Sequence, residues 1–191
     1  TPAALADRLA PGTRVARLRD DRDNLGILFD LSLRELTTEQ PRVFTLIAQA
    51  PGPDLSTEAA RVLTTMGEEE LLDVLEVLAE AHLITHDPGT DRWTMHDLLA
   101  EHGTAGASAY PNLRSEALGR LLTFYASTAE EAYQTGYEAS DQRPGSFSGW
   151  GDSRGWLNDE QSNLIAAARV ALSHGWGHFT LALASSLEHH L

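Results

Sequence analysis

The residues best placed to do chemistry are Met95-His96-Asp97, between a strand-like segment that ends at Met95 and a helix-forming segment that begins at Asp97. An imidazole N–H can donate to a phosphate oxygen. A helix that starts at Asp97 adds unpaired backbone N–H groups and the positive end of its dipole. His96 is therefore a candidate anion contact. Asp97 is expected to cap the helix rather than touch the anion, because a side-chain oxygen at a helix start accepts from the first turn. The alternative for His96 is a histidine that simply lies at a strand–helix junction.

Other chemistry has less to stand on. His82 and His86 are four residues apart, but they straddle a change from helix to strand and no third ligand keeps zinc spacing, so no metal is expected. Glu68, Glu69 and Glu70 are consecutive, and most other acids fall on outward helix faces, which does not make a paired acid/base site. No Ser sits in a G-x-S-x-G context. The chain has neither G-x-x-x-x-G-K-[ST] nor any Lys, hence no Walker A loop, and with no Cys it has no thiolate. No catalytic residue is assigned. Trp150 and Trp156 flank a Gly-rich stretch; Trp156 is expected to anchor its helix in the core, the alternative being a binding patch.

The elements that must position His96 follow from periodicity and breaker residues. Residues 2 to 10 and 25 to 36 read as short helices, with a charged connector between 14 and 23. A helix begins after Thr37 and Thr38 and stops at Pro51-Gly52-Pro53; Ser56 caps the next, from Thr57 to Met66, which Gly67 ends. A third spans Glu68 to His82. It has Leu71, Leu75, Leu78 and His82 on one side and Glu69, Asp73, Glu76 and Glu80 on the other. Two short strands, 83–86 and 92–95, enclose the turn Asp87-Pro-Gly-Thr-Asp91. Three helices and a two-stranded wing are the winged-helix order. After a helix through Leu98, Leu99 and His102, a long one runs from Asn112 to Tyr137. A loop is expected at 140–155, and a hairpin of helices, 156–174 and 176–191, turns at Gly175.

Charge restricts what this scaffold can bind. The chain has 191 residues, 42% of them apolar, and a net charge of −14, enough apolar residues for a substantial core. All 14 basic residues are Arg. No basic residue lies between Arg61 and Arg92, where eight acids accumulate, so the face a winged helix would offer to DNA is acidic and a polyanion would be repelled. No run is apolar enough for a membrane span. The start, Thr-Pro-Ala-Ala-Leu, has no basic or apolar leader region and reads as an excised cytoplasmic piece.

An ordered series of motifs carries a family resemblance over nearly the whole chain. These are Leu31-Ser-Leu-Arg-Glu-Leu36, Pro41-Arg-Val-Phe-Thr-Leu-Ile47, Pro51-Gly-Pro-Asp-Leu-Ser56, Ala81-His-Leu-Ile84, Met95-His-Asp-Leu-Leu99 and Trp156-Leu-Asn-Asp-Glu-Gln-Ser-Asn-Leu-Ile-Ala-Ala-Ala168. The series resembles the stretch after the P-loop domain in actinobacterial STAND regulators with NB-ARC-type ATPase modules, SARP-type transcription factors among them. The resemblance implies a nucleotide-binding domain in cis, His96 on the ADP β-phosphate and Met95 plugging the apolar side. ADP or ATP with Mg would belong to the intact parent and not to this chain alone.

The expected fold is mainly α: residues 1–36 end a small helical domain, 37–110 form a winged helix with its Met-His-Asp motif, and 111–191 open a tetratricopeptide-like array. The expected role is a non-catalytic regulatory relay that stabilises an ADP-bound off state. A protein or small-molecule ligand could act on the helical region, while direct nucleic-acid or membrane binding is not expected. The alternatives are a DNA-binding winged-helix transcription factor and a plain helical interaction module.

Overall fold

A computed structural model describes residues 39–107, 111–137 and 146–188. The chain divides into two compact units, Thr1–Pro41 and Arg42–Leu191. Nearly all of the first lies outside the described residues, and with it the helices expected at 2–10 and 25–36, the connector and the 1–36 domain. The described residues are mainly helical, with seven helices and one small antiparallel sheet.

Helix α1, Glu39–Ile47, buries Val43, Phe44, Leu46 and Ile47 and ends before the Pro51-Gly52-Pro53 turn. Strand β1, Asp54–Ser56, leads straight into α2, Thr57–Thr64, where the Ser56 hydroxyl accepts from the Ala59 N–H at 3.2 Å as the expected cap. Helix α3, Glu68–Glu80, opens on three acids that suit its positive end and buries Leu71, Val74, Leu75 and Leu78. Glu69, Asp73, Glu76 and Glu80 are exposed on its far side.

Strands β2, Thr85–Asp87, and β3, Arg92–Thr94, form a hairpin, and β1 adds to its other edge to give the order β1-β3-β2. Trp93 is the centre of the sheet, opposite Leu55 on one side and His86 on the other, and only 3% exposed. Its indole Nε1 donates to the Thr57 hydroxyl at 3.0 Å, which satisfies the one polar atom it buries. The turn is tightened by Asp87, whose carboxylate accepts from the Gly89 N–H and the Thr90 hydroxyl, both at 2.9 Å.

Helix α4, Asp97–Ala107, follows β3, and Thr104 donates to the Ala48 carbonyl beyond the end of α1 at 3.0 Å. A Cβ on Gly103 would stand 2.6 Å from that of Ala48, so glycine is what lets the two backbones approach. Helix α5, Pro111–Tyr137, packs on α2 and on both later helices, α6, Trp150–Ser173, and α7, Gly177–Glu188. Leu118, Leu121, Leu122, Tyr125 and Ala129 of its apolar stripe are buried, each large apolar side chain contributing about 2 kcal/mol. The α6–α7 turn has Gly175 in the left-handed region, φ 72°, with Trp176 N–H reaching back to the Ala171 carbonyl, the helix-ending device expected there.

Four local features differ from the sequence reading. The sheet has three strands, because the three residues after Pro53 pair with β3 across a long loop in sequence. Helix α6 begins at Trp150, inside the stretch expected as loop: Asp152 accepts from the Ser148 N–H and hydroxyl and so holds the first turn despite Gly151 and Gly155. His82 is exposed and lies past the end of α3 with φ 58°, and Leu83 N–H closes back on Leu78 O. The residue that turns the chain out of α2 is Thr65, at φ 62° and ψ 23°, and not Gly67.

A β-branched residue in the left-handed region is strained by about 1–2 kcal/mol. Thr65→Gly is expected to raise the unfolding free energy by about 1 kcal/mol, measured by urea denaturation at unchanged slope; a loss of stability would show that its side chain contributes more than its backbone costs.

Candidate functional site

His96 immediately precedes α4 and is exposed, with Met95 half-buried beside it. Its carbonyl accepts the first turns of the helix from Leu99 and Ala100 N–H, and its ring Nδ1 accepts from Leu98 N–H at 3.3 Å. An Nδ1 that accepts carries no proton, so the neutral ring holds its proton on Nε2. Nε2 is then the ring's donor, on a residue next to a helix N-terminus. Asp97 is the first residue of α4 and is exposed. The other two candidate histidines are apart from this edge: His86 stacks on Trp93 at 4.0 Å between ring centroids, and its Nε2 lies 3.0 Å from Asp91 Oδ1.

Behind β3 lies a cluster that no motif reading had singled out. Arg92, the first residue of β3, donates from Nε at 2.9 Å and also from Nη2 to Asp54 Oδ1 at the start of β1. The same guanidinium donates to Glu160 of α6, from Nη1 to Oε1 at 2.5 Å and from Nη2 to Oε2 at 3.1 Å. Asn163, one turn further along α6, donates from Nδ2 to both carboxylates, at 3.0 Å to Asp54 and 2.7 Å to Glu160. Asn163 Oδ1 is buried and accepts no hydrogen bond; it faces the backbone of Gly52, where a Cβ would stand 1.7 Å from it. Only glycine lets the Pro51-Gly52-Pro53 turn press against α6.

The electrostatics of this cluster follow from burial. Glu160 is fully buried and Asn163 is 1% exposed. Burial alone would favour loss of the Arg92 proton, but the hydrogen bonds and charges of Glu160 and Asp54 outweigh it and hold the guanidinium charged. Two carboxylates on one cation leave one negative charge over, which the Asn163 amide solvates. Tyr125 of α5, 1% exposed, adds its hydroxyl on the Glu160 side. Burial first, then the Glu160 charge, pushes the Tyr125 phenol above its ordinary value.

Parts of this were within reach of sequence reasoning. Asp54 lies in Pro51-Gly-Pro-Asp-Leu-Ser56 and Glu160 and Asn163 lie in the Trp156 to Ala168 motif, and Arg92 is the first base after a long acidic stretch. What was missing was the pairing, which spans 38 and 68 residues. No helical or strand period reports a contact of that kind.

Comparison with known proteins gives the class first. The chain is similar to bacterial regulatory proteins. The particular relatives are Regulatory protein AfsR of Streptomyces griseus, 33% identical over 183 residues and 84% of this chain, and Regulatory protein AfsR of Streptomyces coelicolor, 30% identical over 180 residues and 81% of this chain. The chain spans about a fifth of the length of these relatives, 19% and 18%. No family model matches the chain, and no solved structure does. Among the described residues no helix is long and apolar enough to cross a membrane.

Removing the cation should leave two facing carboxylates, one of them fully buried. Arg92→Met is expected to cost about 3 kcal/mol in urea unfolding, and replacing Arg92, Asp54 and Glu160 together by apolar residues is expected to cost less than that single change. The reverse order would mean that the side chains act through packing and not charge.

Tyr125 links the stability of the fold to alkaline pH. Its phenol is raised in the folded chain, so the neutral form stabilises the fold fully below the unfolded value near 10, and that contribution is lost as pH rises beyond it. With no Lys and no Cys, tyrosines are the side chains that titrate between about pH 9 and 12. Tyrosinate absorbance at high pH is expected to show a fraction that appears only on unfolding, and Tyr125→Phe should remove it.

Proposed function

We propose that this chain is a non-catalytic relay segment of a STAND-type, nucleotide-switched bacterial regulator, acting in the cytoplasm and on transcription. The similarity over about four-fifths of the chain to two proteins named as regulatory carries this reading. On it, α1, β1, α2, α3 and the β2–β3 hairpin are a winged helix with β2–β3 as the wing, and α6 with α7 opens a tetratricopeptide-like array.

His96 is the contact to nucleotide in the intact parent. ADP and its Mg ion would be held chiefly by a P-loop domain in cis, and His96 would reach the ADP β-phosphate. His96 supplies an Nε2–H donor at the N-terminus of α4, and Met95 an apolar wall beside it. Both are compatible with a phosphate, since the ring's other nitrogen is already engaged by Leu98 N–H.

The relay runs through Arg92. Arg92 lies four positions before His96, at the start of the strand that leads to it, and is bonded to Glu160 of α6. A ligand or partner that shifts α6 must either move β3, and His96 with it, or break buried charge-assisted hydrogen bonds. Binding on the helical side is thereby converted into a change at the nucleotide edge.

The winged helix serves packing on this reading, not DNA. The exposed face of α3 offers Glu69, Asp73, Glu76 and Glu80 where a reader of base edges needs donors.

In the intact parent, His96→Ala is expected to speed ADP release and raise basal signalling; unchanged nucleotide retention and unchanged basal output would remove the sensor role. This chain alone is expected to give no gel shift on random duplex DNA at low salt. Saturable binding there would overturn the packing role of α3 in favour of direct DNA reading.

A further inference from the structure

A cleft of about 770 Å³, within the range of small-molecule sites, lies where the end of α2 meets α5 and α7, and neither His96 nor the Arg92 cluster uses it. Its apolar wall is Met66, Phe124 and Phe179, and its polar wall includes Arg120 and Thr65. Three independent features converge on it.

The first is charge. Arg120 donates to the carbonyls of Val62 at 3.3 Å and Leu63 at 2.9 Å, which holds the guanidinium in place without neutralising it. Among the described residues no carboxylate pairs with it. Arg61, also on the cleft, is paired with Glu58 at 2.6 Å, so the cleft keeps a net positive charge in a chain of net charge −14. Second, Gly119 lies inside the 27-residue helix α5, where glycine is a poor helix former, yet a Cβ there would meet nothing within 4 Å. Packing does not require this glycine. A side chain at 119 would instead occupy the cleft, which Gly119 lines. Third, the left-handed Thr65 stands on the same cleft, a local backbone cost placed where a ligand would lie.

We propose that this cleft binds a small amphipathic organic anion, its anionic head on Arg120 and its apolar or aromatic body against Phe124, Phe179 and Met66. The charge selects an anion, and the aromatic and thioether wall selects an apolar body over a bare inorganic ion. The site would couple its occupant to both sides of the molecule, since α2 is continuous with the sheet and α5 and α7 with the helical bundle.

The test uses two probes of this chemistry, 8-anilinonaphthalene-1-sulfonate and decanoate, titrated into isotope-labelled chain and followed by amide shifts. Saturable one-to-one binding is expected for both, with shifts centred on Thr65, Gly119, Arg120, Phe124 and Phe179. Arg120→Gln should weaken both by about tenfold and Arg120→Lys should recover part of the loss. Gly119→Trp, which fills the cleft on an open helix position, should abolish binding while leaving cooperative unfolding intact. Absence of saturable binding by both probes would overturn the proposal, as would shifts centred instead on exposed Leu172 and Leu181, or unchanged affinity in Gly119→Trp. A dimer of this chain that Gly119→Trp dissociates would assign the cleft to a second copy and overturn it equally.

Discussion

One guanidinium, that of Arg92, holds two carboxylates from segments far apart in sequence, and most of the geometry near it follows. Asp54 starts the strand that runs into α2; Glu160 sits inside α6; Arg92 itself opens the central strand. All three nitrogens of the planar fork donate, so the relative placement of β1, β3 and α6 is restricted to arrangements that keep these bonds near ideal angles. Gly52 and Asn163 are consequences of the same restriction: drawing Asp54 toward α6 brings the preceding turn against Asn163, where a side chain would not fit.

The chain's acidity makes this cation more consequential. In the segment from 56 to 110, two Arg stand against eleven acids, and of those two Arg61 is spent on an exposed partner one turn away. Exposed pairs of that sort contribute little because water screens them. Arg92 is mostly withdrawn from water and Glu160 wholly so, and its loss would leave the Glu160 carboxylate buried without its cation. Of the remaining acids, Asp87 and Asp91 hold the β2–β3 hairpin, and those on the far face of α3 are exposed.

Legibility in the sequence tracked the range of the interaction. Short-period features were readable: the Ser56 cap, the buried face of α3, the Gly175 turn and the α5 stripe all rest on residues within a turn or two of one another. The third strand was not, because three residues carry no period and β1 exists only through its pairing with β3. The start of α6 was not, because Gly151 and Gly155 read as loop while the compensating Asp152–Ser148 bonds depend on rotamers. The end of α2 was read at Gly67, the usual helix-ending residue, but Gly67 is extended and leads into α3, while Thr65 takes the left-handed conformation. The strand–helix placement of His96 could be read from its neighbours, whereas the Arg92 cluster behind it rests on long-range pairings that spacing does not encode.

A buried ion cluster is weak evidence for stability, since apolar replacements of similar volume often fold as well or better. Its value here is directional. The residues buried on α2, α5 and α6 are mostly Leu and Ala, beside the Arg120 bonds to α2 carbonyls and the Tyr125 hydroxyl near Glu160, and apolar burial is non-directional, so it sets register less sharply than hydrogen bonds do. A fork of charge-assisted hydrogen bonds does depend on angle and is either made or broken. Placing such a fork between the strand that leads into His96 and the helix that opens the C-terminal bundle turns a continuous apolar interface into one with a defined register. On the proposed relay reading, a device that reports from one side of a molecule to the other needs that property more than it needs additional stability.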